Sequence, residues 1–392
     1  MGYNILICYI HEKYVEMIKR DLLDSIISSC FKGKIILLLG ARQVGKTTLL
    51  KEMAKQIDEP SVWLNADESD IYEAFANAGT STQLLQLVGP NNKLVIIDEA
   101  QQIPDIGKKL KLIYDTYPHI QLIATGSSSF ELQNNMAEAL TGRKMVFYLF
   151  PISYKETIGN SSPLEAKRML DTRLVYGLYP DVANNPGKEK EILVEIANSY
   201  LYKDILQIEG IRKPAHVNNL LRALAFQVGN EVSYNELSRI VGNINAETVE
   251  KYLDLFEKTF IIYKLPALSR NLRNELKKGK KYYFFDNGIR NVLISNFTLP
   301  QMRIDKGALW ENFLISERLK NNHYNKRFVN TYFWRTHDKA EIDYIEETDG
   351  ALNAFEIKWT DKKVRFPNSF LEAYPNHSTT IISKSNFETF VK

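Results

Sequence analysis

Residues 34–50 read KIILLLGARQVGKTTLL, and no other stretch constrains this chain as strongly. The aliphatic run from Ile35 to Leu39 has the composition of a strand buried on both faces. It runs directly into Gly40-Ala41-Arg42-Gln43-Val44-Gly45-Lys46-Thr47, which satisfies G-x-x-x-x-G-K-[ST] at every defined position. Helix-compatible residues follow, beginning with Thr48. Glycines let such a loop curl until its amide N–H groups face phosphate oxygens, and the helix N-terminus adds partial positive charge. In this pattern Lys46 reaches the β- and γ-phosphates and the Thr47 hydroxyl ligates Mg²⁺.

A phosphate loop needs a second anchor for the metal. Leu94 to Ile97 form another aliphatic run that ends in Asp98, followed at once by Glu99. The Asp98 carboxylate is placed to hold Mg²⁺ through its water shell, and Glu99 to orient or deprotonate the attacking water. A third run, IQLIATGSSS, ends in hydroxyl residues, among them Thr125, Ser127 and Ser128. Carboxyl ends of parallel strands face the ligand, so one of these hydroxyls is expected to sense the γ-phosphate. SVWLN at 61–65 reads as a further strand, and KMVFYLF as another. Arg143 stands just before the latter. It is either a solvated loop residue or an arginine that reaches a γ-phosphate, in its own chain or in a neighbouring copy.

With IIDEAQ, ATGSSS, LTGR, FPISYKE and YLYKDIL added to the phosphate loop, the chain resembles AAA+-like P-loop ATPases of archaea and bacteria that carry a characteristic C-terminal domain. The resemblance covers nearly everything after residue 16. It implies a five-stranded parallel sheet with helices on both faces, and ATP in preference to GTP. The absence of a guanine-reading N-K-x-D-type segment agrees with that.

Beyond residue 151 the pattern changes. HVNNLLRALAFQVG, SYNELSRIVG with its Ser233-x-x-Glu236 capping box, and NAETVEKYLDLFEKT read as three helices. FIIYKL and KYYFFD read as two strands after them, and this order predicts a winged helix. Its third helix carries Glu247, Glu250, Asp254 and Glu257, which favours a protein partner over DNA. The basic run RNLRNELKKGKK, residues 270–281, is either a contact to a DNA backbone or a solvated hairpin tip.

The last part reads as an amphipathic helix, ALWENFLISERLK, then strands TYFWR, EIDYI and ALNAFEIKW, with Asp349-Gly350 turning the final hairpin. Glu356 and Lys358 lie two apart on one strand face, as do Glu341 and Asp343. The order Glu311, Asp343, Glu356, Lys358 resembles the PD-(D/E)xK nuclease core, with Ile342 where a proline is usual. The resemblance implies a second divalent-metal site at these four residues. Without it, the same charges describe the wet face of a hairpin.

The expected fold class is therefore α/β throughout: a parallel-sheet P-loop (AAA+-like) ATPase domain, a winged-helix middle domain and a restriction-endonuclease-like C-terminal domain. The expected boundaries are an extension at 1–16, the ATPase domain at 17–155, a helical linker at 156–215, the winged helix at 216–290 and the nuclease-like domain at 300–392. The expected ligands are ATP and Mg²⁺. The expected activity is ATP hydrolysis coupled to action on DNA, or else a slow ATP-gated switch that binds a protein partner and carries an inactive nuclease-like domain. A homo-oligomer fits an arginine acting between copies. A net charge of +3 over 392 residues is too weak to argue for nucleic acid by itself. Two cysteines and no apolar run near 18 residues point to a reduced, cytoplasmic setting without a signal peptide or membrane span.

Overall fold

A computed structural model describes residues 18–126, 139–206, 214–269, 279–336 and 340–392. The expectations for the 1–16 extension, for Ser127 and Ser128, and for residues 270–278 of the basic run lie outside the described residues.

The first unit opens with α1 (Leu22–Ile27), then β1 (Ile35–Leu39) and α2 (Lys46–Gln56). It continues through β2 (Ser61–Asn65), α3 (Ser69–Asn77), α4 (Ser81–Val88), β3 (Leu94–Asp98), α5 (Ile106–Thr116), β4 (Gln121–Gly126) and β5 (Lys144–Tyr148). The five strands form one parallel sheet in the order β2-β3-β4-β1-β5. Every residue of β1, β3 and β4 is buried, which explains their unbroken aliphatic runs. β4 lies between the strand that feeds the phosphate loop and the strand that ends in Asp98.

The stretch expected to be a linker is a packed helical layer. It comprises α6 (Tyr154–Gly159), α7 (Pro163–Arg168), α8 (Leu170–Tyr176), α9 (Pro180–Asn184) and α10 (Glu189–Leu206). Ser153 caps α6 through a reciprocal capping box with Glu156.

The middle unit runs α11 (Pro214–Phe226), β6 (Glu231–Val232), α12 (Tyr234–Val241), α13 (Ala246–Lys258), β7 (Ile262–Pro266) and β8 (Lys280–Phe284). Its three strands form an antiparallel sheet in the order β6-β8-β7. The short β6 lies between the first two helices and has no apolar run to announce it. Then α14 (Asn287–Leu293) docks on α8, with Asn287 and Asn291 donating side-chain hydrogen bonds to the Leu174 carbonyl. Asp286 accepts the Leu178 amide at 2.7 Å, and a Cβ at Gly177 would lie only 1.9 Å from the Asp286 carboxylate. Only glycine admits that approach, and it fixes the path from Gly177 into α9.

The C-terminal unit is α15 (Lys306–Tyr324), β9 (Asn330–Arg335), β10 (Glu341–Thr348), β11 (Ala351–Ile357), α16 (Asn368–Ala373), β12 (His377–Ile382) and α17 (Glu388–Val391). Its sheet has the order β12-β11-β10-β9, with β12 added parallel to β11. Asp349 and Gly350 both have positive φ, as a two-residue hairpin turn demands. The main hydrophobic core is continuous from Leu22 to Val391 and joins all three units. A smaller core lies between β9–β11 and α16, around Trp334, Ile342, Ile345, Leu352 and Phe370.

Candidate functional site

β1 delivers the chain to Gly40, where a Cβ would lie 2.2 Å from the Leu149 carbonyl oxygen. The loop therefore leaves the strand pressed against the exit of β5, an approach open only to glycine. Gly45, at φ 95°, turns the backbone into α2. Lys46 is 5% exposed, and its Nζ donates to the Gly40 and Ala41 carbonyls at 2.9 Å each. Arg42, Gln43 and Val44 complete the loop, Gln43 with a positive φ that adds to its curl.

The Thr47 Oγ1 donates to Asp98 Oδ2 at 2.8 Å. From the intervening strand, the Thr125 Oγ1 donates to Asp98 Oδ1 at 2.5 Å and accepts the Glu99 amide at 3.0 Å. Thr125 thus orients the acid rather than facing solvent: it is fully buried. A hydroxyl and a carboxylate converging at the start of a helix suit a hard divalent cation, so Thr47 and Asp98 fit Mg²⁺. Glu99 sits in the left-handed region at φ 51°, and its carboxylate accepts a hydrogen bond from the Gln101 side-chain Nε2.

Two features of this site escaped the sequence reading. Arg20 is buried and donates Nη1 to the Val44 carbonyl of the loop at 2.8 Å. The same guanidinium donates to Glu156 at 3.0 Å, to the Phe150 carbonyl at 2.6 Å and to Tyr324 Oη at 3.4 Å. Beside the loop opens a recess of 460 Å³ lined by Ile18, Gly45, Thr48, Leu49, Pro180 and Asp181. Neither Arg20 nor the Pro180–Asp181 pair belongs to a recognisable motif; proximity to the loop exists only after folding.

Arg143 requires a correction. Its carbonyl accepts the Ile35 amide, and Lys144 pairs with Ile35, so it lies at the amino end of β1. The phosphate loop begins at the other end, about 17 Å away along a five-residue strand. Arg143 instead pairs with Asp115 at 2.8 Å. It does not reach the phosphates of its own chain. Arg143→Ala is expected to leave ATP turnover of dilute protein at the parent rate; a loss beyond about threefold in steady-state phosphate release would contradict that placement.

The C-terminal residues do converge, but around ammonium groups. Lys358 Nζ lies 2.6 Å from Glu356 and 3.2 Å from Asp343. Asp343 Oδ2 also accepts the Ile357 amide at 2.7 Å, beside a register shift in β10. On the opposite side, Lys281 Nζ of β8 lies 2.5 Å from Glu341 and 3.7 Å from Glu311. Tyr283 Oη donates to Glu311 at 2.5 Å. Glu356 is 5% exposed, so the wet-face reading of NAFEIKW fails. Among the described residues, no three His, Cys, Asp or Glu side chains are arranged to hold a metal ion. The expectation that Glu311, Asp343 and Glu356 share a divalent cation meets a different arrangement: Lys281 and Tyr283 engage Glu311, and Lys358 engages Asp343 and Glu356. Lys281 is buried against Glu341 and Glu311, and Lys280 pairs with the half-exposed Glu250, so the last two residues of the 270–281 run both have acidic partners within the chain.

Burial pushes the Glu311 carboxyl up to about 7; Lys281 opposes the rise and Asp343 adds to it. Burial, then Asp343, raises Glu356 to about 7 against the pull of Lys358. Burial disfavours the Lys281 ammonium, but Glu311 and Glu341 more than offset it. A carboxyl whose folded pKa exceeds its unfolded value contributes stability that is complete below the unfolded pKa. That contribution is lost as pH rises through the folded one. Folding stability is therefore expected to fall as pH rises from 5 to 7.5, by up to about 1.4 kcal/mol per pH unit for each such group, and the melting temperature to fall with it. Glu311→Gln removes one of the two contributions and should flatten the slope; an unchanged slope would sink this assignment.

Comparison with known proteins agrees with the first unit. Residues 32–158 match the family described as AAA domain. This part of the chain has a parallel-sheet α/β P-loop fold. Residues 167–299 and 306–390 match two families described as domains of unknown function, DUF8612 and DUF4143. An uncharacterised protein of Haemophilus influenzae is 27% identical over 381 residues, covering 90% of each chain. One from Mycobacterium tuberculosis is 28% identical over 347 residues, covering 87% of this chain and 74% of the relative. Among solved structures, the Walker-type ATPase of Pyrococcus abyssi is similar with a TM-score of 0.49 and 16% identity, over 72% of this chain and 97% of that one. Among the described residues, no helix is long and apolar enough to cross a membrane.

Proposed function

We propose that the protein binds and hydrolyses ATP with Mg²⁺ and uses the nucleotide state to act on its own C-terminal half as a switch. The observation that carries this reading is the chain Thr47–Asp98–Thr125, which brings a hydroxyl and a carboxylate together at the mouth of the phosphate loop. Lys46 and the amides of residues 40–48 take the phosphates, Thr47 and Asp98 hold the cation, and Glu99 orients the water. The recess at Ile18, Thr48 and Pro180 takes the nucleoside. Arg20 supports the coupling, because one guanidinium ties the loop carbonyl of Val44 to Tyr324 at the end of α15.

In this reading the middle unit is a winged helix: its order of helix, strand, helix, helix and two strands supports that assignment. The C-terminal unit has a restriction-endonuclease-like layout, with a helix, three antiparallel strands and a parallel fourth. The exposed side of α13 carries Glu247, Glu250 and Asp254, which favours a protein partner over DNA. Arg143, barred from its own nucleotide, is left with a neighbouring copy's as its only phosphate target.

The test is steady-state phosphate release with ATP and with GTP, alone and with single- and double-stranded DNA at low salt. The reading expects Mg²⁺-dependent ATP turnover that DNA leaves unchanged. Turnover stimulated tenfold or more by DNA would move the DNA-directed reading ahead. A folded protein that neither binds nor hydrolyses ATP would remove both.

A further inference from the structure

We infer that Lys281 takes the place of a divalent cation in the C-terminal carboxylate set, so that the set locks the middle unit to the C-terminal unit and is closed to metal. The inference stands apart from the nucleotide site. Strand alternation along Lys280–Phe284 sends Lys281 and Tyr283 to one face, and both meet Glu311 of α15. Lys281 is 1% exposed, and its ammonium lies 2.5 Å from Glu341. The Phe333 ring, 5.2 Å away, closes another side. Lys358 supplies a second ammonium between Asp343 and Glu356.

These are the spacings of ammonium–carboxylate contacts; Mg²⁺ demands oxygens at about 2.1 Å in near-octahedral array. A divalent ion brought to the set would face two ammonium groups within a few ångströms, in a poorly screened interior. Four carboxylates and two lysines, drawn from β8, α15, β10 and β11, instead satisfy one another. Each carboxylate has a partner from another residue: Glu311 has Lys281 and Tyr283, Glu341 has Lys281 and Arg335, and Asp343 and Glu356 share Lys358. The layout of a nuclease is present, and its cation is a lysine.

Mn²⁺ titration, with free ion followed by electron paramagnetic resonance in nucleotide-free buffer, tests this. The parent chain should show no Mn²⁺ site that disappears in Asp343→Asn. Lys281→Met should gain one site per chain, at least tenfold tighter than any binding by the parent, and Lys281→Met with Asp343→Asn should lose it. Circular dichroism checks that each variant is folded, and Lys281→Gln replaces Lys281→Met where the methionine does not fold. An Asp343-dependent Mn²⁺ site in the parent overturns the inference without any lysine variant. A folded Lys281 variant that gains no site overturns it as well.

Discussion

Lys46→Ala is expected to lower ATP turnover at least about 100-fold, the scale of losing one preorganised charge at developing phosphate charge. Lys46 is the first residue of α2, buried, with its ammonium lying across the Gly40 and Ala41 carbonyls. Those contacts hold the side chain along the loop, where the proposed function has the β- and γ-phosphates bind. Alanine removes the charge and leaves the loop backbone intact, so the variant should melt near the parent. The measurement is phosphate release at saturating ATP, from parent and variant purified side by side. Asp98→Asn should be comparably inactive, because it weakens the second half of the cation site. Turnover by Lys46→Ala within tenfold of the parent would end the hydrolytic reading.

Arg20→Met is expected to be among the most destabilising single changes, by about 3–5 kcal/mol, because it strands a buried partner charge. Arg20 and Glu156 have side chains 7% and 0% exposed and pair at 3.0 Å. Glu156 also accepts the Ser153 and Asp21 amides, so it cannot swing out to water without undoing a helix cap and the entry to α1. The Val44 and Phe150 carbonyls lose their donor at the same time. Urea unfolding should show the loss, and ATP affinity should fall with it, since the loop is no longer held from behind. Adding Glu156→Gln should recover part of the stability by removing the stranded charge. A loss under 1 kcal/mol, or unchanged ATP affinity, would show that Arg20 is a bystander.

The first unit was legible because its chemistry is local. The aliphatic runs of β1, β3 and β4 and the spacing from Gly40 to Thr47 are properties of contiguous residues, and the fold preserves them. Thr125 was found at the right strand end, but its partner Asp98 lies one strand over, a fact of sheet order. Arg143 was misplaced for the converse reason: its sequence neighbours are phosphate-site strands, yet it stands at their far ends. Lys281 was read with a basic run because charge was counted along the chain. Strand alternation and a neighbouring helix turned it inward. Asp343 and Glu356 meet Lys358 of their own unit, while the ammonium beside Glu311 comes from another unit, which no spacing along the chain announces.

Helix α15 is shared property. Near its start Glu311 serves the carboxylate set. Between about 9 and 20 Å further along, Glu317 accepts the Tyr154 amide, Lys320 donates to the Ile152 carbonyl, and Tyr324 receives Arg20. The seam near residue 300 that separates two family matches is thus not a boundary of packing. A fragment beginning there would carry Glu317 and Lys320, a mutually paired but buried couple, out into water along with the apolar surface around them. Such a fragment should be sticky and protease-sensitive, and a C-terminal unit transplanted from a relative should work only if it arrives with a matching segment from 149 to 156. The three parts of this chain are modules on paper that have to evolve as one.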